Sequence, residues 1–573
     1  MANELNWKVA GFAGEGIMTT GLLFSKTCAR HGMSIFDYTE YPSLIRGGHN
    51  TYQVYANTSG AFAQRKMVDV LVALNRNSLS FHKDELSSDS LVIYDQDDDK
   101  VDINDYALPC QVFNLPMVKL AIDSGGQRLM ANNVILGASV YFFGMSLDIL
   151  LTVITAVFQD KGESVVKLNA GAALAGYEYA KAHAKPIMQI DKGPFEQYLT
   201  ATGNEAISLG ALAGGLQFYA AYPMTPSSSI LHYLSATAKQ TNIVVKHAED
   251  EISAINMACG ASFAGARAMV GTSGGGFCYM TEGLGLAGIA ELPLVVFEGM
   301  RPGPALGMPT WTAQGDLGFI LNASQDEFPR FVLTPGDAQE AFELTRIALE
   351  LAEKYQTLVM LVSDKYLSES RLTFKLESTV FKNKRQAFNG NPQPDESGFF
   401  PRYLESENGV SPRTIPGTAG GTYIANSYEH DKYGLAAEEG SIRLEQMDKR
   451  FRKFDAMRSE VPRQYEEREA GAEVTLVSFG STKGVIRAAR TLLKKDGIPT
   501  NTLNLSWIWP FPKDQVKDII GNGRPIVVEG NKQGQLARLI AQETGMMIND
   551  YIRRYDGRPF YAEDIASEVK KLV

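Results

Sequence analysis

Cysteine is scarce in this chain: Cys28, Cys110, Cys259 and Cys278 are the four among 573 residues, and none belongs to a C-x-x-C arrangement. That usage fits a reduced, cytoplasmic compartment and excludes an ordinary four-cysteine iron–sulfur site with local motif spacing. Long basic blocks are missing too. The balance of 55 basic against 65 acidic side chains, a formal charge of −10, argues against nucleic acid or an anionic membrane as the main partner. Met1 to Lys8 has no basic segment leading into an apolar core, so no secretory signal is expected. The apolar stretch from Ile135 to Phe158 is broken by Gly144, Ser146 and Asp148, and it reads as two core helices instead of a membrane span. Short-period repeats are absent.

What is present is an alternation of apolar strands with helical segments. At 45% hydrophobic and 10% aromatic the chain can bury several cores, and its length implies three or four domains of multidomain α/β type. Residues 1–190 carry strands at Lys8 to Gly11, Val70 to Leu74, Leu91 to Tyr94 and Gln111 to Phe113. A second α/β domain, 200–376, carries six more, near Phe218 to Ala221, Ile243 to Lys246, Ala268 to Gly271, Leu294 to Glu298, Phe331 to Leu333 and Leu358 to Val362. Residues 377–470 form a connector rich in Asn, Gly, Pro and charge, closed by a charged helix from about Glu438 to Val461. Alternation resumes over 471–573 with strands at Val474 to Ser478, Thr502 to Leu505 and Pro525 to Glu529.

Several turns have binding chemistry. Gly11-Phe12-Ala13-Gly14-Glu15-Gly16 follows a strand and opens a helix, a context that suits a phosphate, although its G-x-x-G-x-G spacing is not the dinucleotide fingerprint. Arg46 precedes Gly47 and Gly48 in a second glycine turn, as a phosphate contact or as a loop-anchoring ion pair. Tyr222-Pro223-Met224-Thr225-Pro226-Ser227-Ser228-Ser229 follows an apolar run; with Thr225 as N-cap and Pro226 at the first helical position, the backbone N–H groups of Ser227 and Ser228 would face outward toward a small anion. The next helix places Glu251 in its first turn, on the face continued by Ala254, Ala258 and Ala261. Glu251 there either favours the helix dipole or shares a proton with a heterocyclic nitrogen. A metal reading of His247, Glu249 and Asp250 has little support, because successive residues diverge. Thr272-Ser273-Gly274-Gly275-Gly276 makes a glycine-rich turn at a strand end, and Arg301, before Pro302-Gly303-Pro304, is rigidly placed either to grip a carboxylate or to serve structure.

The ordered set of motifs resembles the 2-oxoacid:ferredoxin oxidoreductases, in the layout where a γ-type domain is fused at the N-terminus of the α subunit, as in members acting on 2-oxoglutarate. The carriers span nearly the whole chain: the Tyr222 to Ser228 turn, the Glu251 helix, Thr272-Ser273-Gly274, Ala290-Glu291-Leu292-Pro293, Arg301-Pro302-Gly303-Pro304, Gln314-Gly315-Asp316-Leu317, Asn408 to Arg413, Trp509-Pro510-Phe511-Pro512 and Glu529-Gly530-Asn531. The resemblance implies a thiamine diphosphate-binding fold, with a pyrimidine-type domain, a transketolase C-terminal-like domain and a γ-type α/β domain that caps the site near coenzyme A. It implies that Tyr222, Pro223, Thr272, Ser273 and Gly274 help hold the cofactor and that Glu251 bonds its pyrimidine nitrogen. Thr225 and Arg301 match the family's contacts to the substrate carboxylate, and Gly14, Gly16, Arg46 and Gly47 are candidates for coenzyme A contact or capping.

The implied reaction is coenzyme A-dependent decarboxylation of 2-oxoglutarate to succinyl-CoA with reduction of ferredoxin, or the reductive reverse; pyruvate and branched-chain 2-oxoacids are the alternatives. A Gly-Asp-Gly motif followed by Asn at family spacing is lacking. The Mg2+ site and a 4Fe–4S cluster are therefore expected on a separate β subunit, in a dimer of heterodimers, with no metal site on this chain. Departures from the family pattern are Gly275 for a usual Pro, Ala305 and Leu306 for hydroxyl residues, and Glu15 for a glutamine. A reading of another class is a non-catalytic nucleotide-sensing or scaffold subunit that uses the Gly11 to Gly16 loop.

Overall fold

The computed structural model describes the chain except residues 1, 45–46, 98–102, 377–387, 389–391, 393, 395–397 and 522. It forms two compact units. The first joins Met1–Thr202 with Glu369–Leu376 and Tyr561–Ser567; the second joins Gly203–Ser368, Glu377–Phe560 and Glu568–Val573.

The first unit is built on an eight-stranded sheet in the order Gln111–Asn114, Leu91–Tyr94, Val70–Ala73, Glu4–Phe12, His49–Asn57, Ser34–Glu40, Arg371–Phe374, Leu199–Thr202. The strands expected from sequence are its parallel half, in which Val70–Ala73 and Leu91–Tyr94, buried on both faces, are continuous apolar runs. The antiparallel half escaped notice because its strands carry polar residues whose partners lie far along the chain. Asp37, for example, is buried and accepts bonds from the Tyr52 hydroxyl at 2.6 Å, the Ser25 hydroxyl at 3.0 Å and the Arg371 N–H at 2.6 Å. Trp7 stacks on Phe24 at 4.4 Å and donates to the Ser139 hydroxyl at 3.0 Å, tying sheet to helices. The apolar stretch after Ile135 forms two helices, Ala131–Phe142 and Leu147–Phe158, with Gly144 at φ 62° in the turn between them.

In the second unit a seven-stranded sheet runs Trp507–Trp509, Arg330–Leu333, Leu358–Asp364, Leu294–Met300, Ala268–Ser273, Phe218–Ala221, Val244–His247. All but the first are parallel, so their C-terminal ends open on one edge, where open α/β sheets bind ligands. A five-stranded sheet from Tyr465–Glu467 to Asp550–Arg553 shares the same hydrophobic core, in which Val270, Val296 and Met360 cluster with Val477, Leu503 and Val527. One segment serves both sheets: Thr500–Leu505 pairs in the smaller, and Trp507–Trp509 crosses to the larger.

The charged helix of the connector is Gly440–Ser459. Although it closes a segment read as a connector, its Gln446, Lys449, Arg450 and Lys453 are buried. Their spacing would mark a core face if the residues were apolar; here the face is satisfied by ion pairs, described below.

Candidate active site

Four elements converge at the open edge of the seven-stranded sheet. The Phe218–Ala221 strand leads into the Tyr222 turn, but the helix that follows begins at Ser228, two residues later than expected, and Ser227 precedes it. Thr225 is thus not the N-cap. The N–H groups of Ser227 and Ser228 are also not free, because the Met224 carbonyl accepts from them at 2.8 and 3.2 Å and from the Ser227 hydroxyl at 2.7 Å. A turn closed on Met224 has taken the donors that an anion would have needed. Buried Asn204 fixes the turn by donating to the Pro226 carbonyl at 2.7 Å.

The second element is the helix Glu251–Phe263. Asp250 and Ser253 cap it reciprocally: the Ser253 N–H donates to Asp250 at 2.7 Å and the Asp250 N–H to the Ser253 hydroxyl at 3.2 Å. This frees Glu251 from capping and lets it turn inward, where it is 5% exposed with no donor to its Oε1. Ala254 and Ala258 are buried on the same face, as the spacing predicts. A buried acceptor without a donor calls for a ligand or a proton, since leaving it bare costs about 1–3 kcal/mol.

The third element lies directly beneath. The expected glycine turn is instead the first turn of the helix Gly274–Ile289, with Ser273 as N-cap. Its glycines answer to close approach: a Cβ on Gly276 would come within 2.2 Å of Thr272 Oγ1 and 2.5 Å of Glu251 Oε1, and one on Gly274 within 2.9 Å of Asp316 Oδ2. Ser273 Oγ is buried and also lacks a partner. A flat glycine floor, two strand-end hydroxyls and an inward carboxyl make a cradle that suits a planar heterocycle with a nitrogen to share a proton.

Arg301 supplies the fourth element. Its Nη1 donates to the Thr225 carbonyl at 2.7 Å, so the two residues expected at a substrate carboxylate do meet, through backbone and guanidinium. Gly299 permits this, because any Cβ there would press on the Pro226 ring at 3.0 Å. Arg301 is buried with Nε unpartnered, and the Met308 N–H closes its loop onto the Pro302 carbonyl at 3.0 Å. Tyr222 is exposed and Pro223 half-buried at the rim.

Two acids beside Arg301 have no role assigned from sequence. Glu298 lies level with Thr272 on the neighbouring strand and is fully buried, with no donor to either oxygen. Burial, with the charges of Asp316 and Asp364, pushes its carboxyl well above the usual range despite Arg301. Burial raises Asp316 as well, to about 6. The signal was available in Leu294-Val295-Val296-Phe297-Glu298, where an acid ends an otherwise apolar central strand.

Gln314 explains two of the motifs. Its side chain accepts from the Thr482 hydroxyl at 3.1 Å and the Gly530 N–H at 2.9 Å and donates to the Phe479 carbonyl at 3.1 Å; its backbone is bonded by Gly530 and Asn531. The Gln314-Gly315-Asp316 and Glu529-Gly530-Asn531 segments therefore bolt the smaller sheet to the larger.

In the other unit Gly14 borders a cavity of about 350 Å³ lined also by Glu15, Asp95, Arg128 and Asn132. The glycine loop there is partly self-satisfied. Glu15 accepts from the Phe12 N–H at 2.6 Å, and the Gly48 carbonyl accepts from the Ala13 N–H at 3.3 Å. Gly16 caps the helix Ile17–Arg30 at φ 78°, and Gly47 has φ 74° in the second turn. Arg46 lies outside the described residues.

An inward glutamate over a glycine floor at the end of a parallel sheet is the cradle of a cofactor-dependent enzyme core, and the family model that covers it is of the thiamine diphosphate-binding kind. Residues 209–449 match the family model described as "Pyruvate flavodoxin/ferredoxin oxidoreductase, thiamine diP-bdg", 6–179 match "Pyruvate ferredoxin/flavodoxin oxidoreductase", and 472–565 match "Pyruvate:ferredoxin oxidoreductase core domain II". The chain is 30% identical over 634 residues to 2-oxoacid:ferredoxin oxidoreductase 2, subunit alpha, of Aeropyrum pernix, covering 100% of this chain and 98% of that one. It is 29% identical to the 2-oxoacid:ferredoxin oxidoreductase subunit alpha of Saccharolobus solfataricus, with the same coverage. The solved structure of 2-oxoglutarate:ferredoxin oxidoreductase from Magnetococcus marinus, with 2-oxoglutarate, coenzyme A and succinyl-CoA bound, superposes with a TM-score of 0.92 at 31% identity over the full length of both chains. The chain belongs to the 2-oxoacid:ferredoxin oxidoreductase family, among its alpha subunits.

Proposed function

We propose that this chain is the α subunit of a 2-oxoglutarate:ferredoxin oxidoreductase, carrying out coenzyme A-dependent oxidative decarboxylation of 2-oxoglutarate or its reductive reverse. The observation that carries this reading is the buried Glu251 carboxyl, without a donor to its Oε1, over the Gly276 floor. Thiamine diphosphate, when bound, supplies the carbon nucleophile and electron sink that 2-oxoacid decarboxylation requires. Glu251 Oε1 would share a proton with the pyrimidine nitrogen of that cofactor, the Gly274 to Gly276 floor would admit its ring, and Tyr222, Pro223, Thr272 and Ser273 would border it. Arg301, anchored on the Thr225 carbonyl, would orient a substrate carboxylate by charge and paired N–H donors.

The alpha-subunit relatives imply a β partner, and exposed Ile252, Met257 and Tyr279 beside the Glu251 cradle support a cover supplied by that subunit. We assign to it the Mg2+ ion and the 4Fe–4S cluster, with electrons passing on to ferredoxin, in a dimer of heterodimers. In the other unit, the cavity beside Gly14 supports the reading of Gly14, Gly16 and Gly47 as a coenzyme A or capping site. The four-part division at 190, 200–376, 377–470 and 471–573 is read as the domain organisation of this subunit. Among the described residues no helix is long and apolar enough to cross a membrane.

The test is coenzyme A-dependent reduction of a low-potential acceptor by the natively purified complex, with 2-oxoglutarate, pyruvate and 2-oxoisovalerate compared. A sharp preference for 2-oxoglutarate is expected. Preference for another acid would keep the chemistry and change the substrate; inactivity with all three despite bound cofactor and an intact cluster would overturn the reading.

A further inference from the structure

Behind Arg301 three acids gather at the ends of adjacent strands and the loop that follows. Glu298 is on the central strand; Asp364 ends the neighbouring strand, level with Met300; Asp316 comes from the Gln314 loop. Asp364 is held as an acceptor, bonded by the Ser481 hydroxyl, by the Leu367 N–H at 3.0 Å and weakly by Gln314. Glu298 and Asp316 are different. No donor reaches either oxygen of Glu298 or Oδ2 of Asp316, all three atoms being buried, and both carboxyls point at the space where Gly274 has no Cβ, Asp316 Oδ2 2.9 Å and Glu298 Oε1 3.9 Å from that point. The bond left to them is with each other. Two carboxylates so placed repel unless one retains its proton, and a pair holding one proton is the arrangement that like charges in a dry site adopt.

We propose that Glu298 and Asp316 share a single proton and act as a positioning pair for Arg301, limiting the negative charge behind the guanidinium so that it remains available to the carboxylate of an incoming 2-oxoacid. The proton stays on Glu298, whose O–H donates to the Asp316 carboxylate. No other bond is made or broken. Arg301 is in ion-pair contact with neither acid: its hydrogen bond is to the Thr225 carbonyl, and the acids act on it through the field alone. The remaining charge facing the pair is Asp364; Gly274 brings backbone only. This inference rests on the reading of Arg301 as a carboxylate grip.

The sign follows from Asp316, which burial lifts to about 6. Above that pH it is ionised and offsets part of the Arg301 charge. As the pH falls through 6 it takes up a proton, the offset disappears, and KM for 2-oxoglutarate should fall, on the order of tenfold. The experiment measures KM and kcat separately from pH 5.5 to 8, for the complex of this chain with its β partner at saturating coenzyme A. Asp316→Asn should abolish the KM step and hold KM low at every pH. Glu298→Ala, which strips Asp316 of its donor, should move the KM step to higher pH, and Glu298→Gln should bring it back, because its amide N–H replaces the carboxyl O–H. An infrared spectrum of the complex should show the carbonyl stretch of a protonated carboxylic acid at neutral pH, shifted in deuterium oxide and lost in Glu298→Gln. Retention of the KM step in Asp316→Asn, failure of glutamine to rescue where alanine fails, or absence of the infrared band would each overturn the proposal. Arg301→Ala with unchanged KM would instead sink the carboxylate reading itself, a failure that the infrared band does not register.

Discussion

Glu291 and Glu298 stand seven residues apart, one before a central strand and one near its C-terminal end, and both are buried, yet the fold treats them in opposite ways. Glu291 lies before the strand, at φ 50°, with its carbonyl bonded by Arg402 at 3.1 Å and its carboxylate by Lys449 at 2.6 Å and by Lys453. Burial works against its charge, but Lys453, Lys449 and Arg402 outweigh it and hold the carboxyl well below the usual range. Glu298, near the end of the strand, feels the charges of two other acids, which with burial outweigh Arg301, and its carboxyl is held well above that range. At the end of the parallel sheet that carries the site, Glu298 has no donor to either oxygen; at the opposite end, both carboxylate oxygens of Glu291 are taken up in holding a helix. A buried acid with its partners in place is scaffold, and one without them is waiting for chemistry.

The comparison can be pressed hardest at Glu251, the other unsatisfied acid. Glu251→Gln should lower kcat by about 10²–10⁴-fold with complex assembly preserved, as read by turnover and gel filtration together. Retained turnover would erase the distinction and favour a non-catalytic subunit. At the scaffold end, Glu291→Gln leaves two buried lysines facing a neutral amide and should cost about 3–5 kcal/mol, seen as a lower denaturation midpoint, with KM at its original value. Equal melting of Glu291→Gln and Glu298→Gln would show that the two acids are energetically alike.

Scaffold behaviour is not confined to the unit with the site. Glu85 is bonded by Lys8 and by His82 at 2.9 Å; burial opposes its charge, but Lys8 and His82 bring its carboxyl down to about 2. Because the folded value is depressed, the stabilisation is present above the unfolded value near 4.5 and is lost as pH falls from there through 2. About 3 kcal/mol of acid lability should vanish in Glu85→Gln, tested by melting between pH 5 and 2. The smallest effect belongs to Asp250, whose cap frees Glu251 to turn inward. Asp250→Ala should lower the denaturation midpoint only slightly, and a loss of turnover out of proportion to that shift would show that the cap also aims Glu251.

Much of the fold was legible in local pattern. The central parallel strands, buried on both faces, announce themselves as apolar runs, and Gly144 with Asp148 marks the break between two core helices. The antiparallel strands around Asp37 did not, because their polar residues make sense only beside Tyr52, Ser25 and Arg371. At the site, the helical face of Glu251, Ala254 and Ala258 could be read from spacing, and so could the rigid seat of Arg301. The helix start after Pro226 could not, since Met224 turns its carbonyl onto Ser227 and Ser228 in a way no capping residue signals.

By itself the amino-acid sequence determined the order of the parallel strands, the family motifs and the identity of the acids at each strand end, for these depend on neighbours a few residues away. Only the tertiary structure decided which acid is held below the usual carboxylate range as a counter-ion and which is pushed above it. That outcome depends on solvent exclusion and on charges delivered from elsewhere: two lysines from a helix about 160 residues downstream reach Glu291, while Glu298 receives the carboxyls of Asp316 and Asp364.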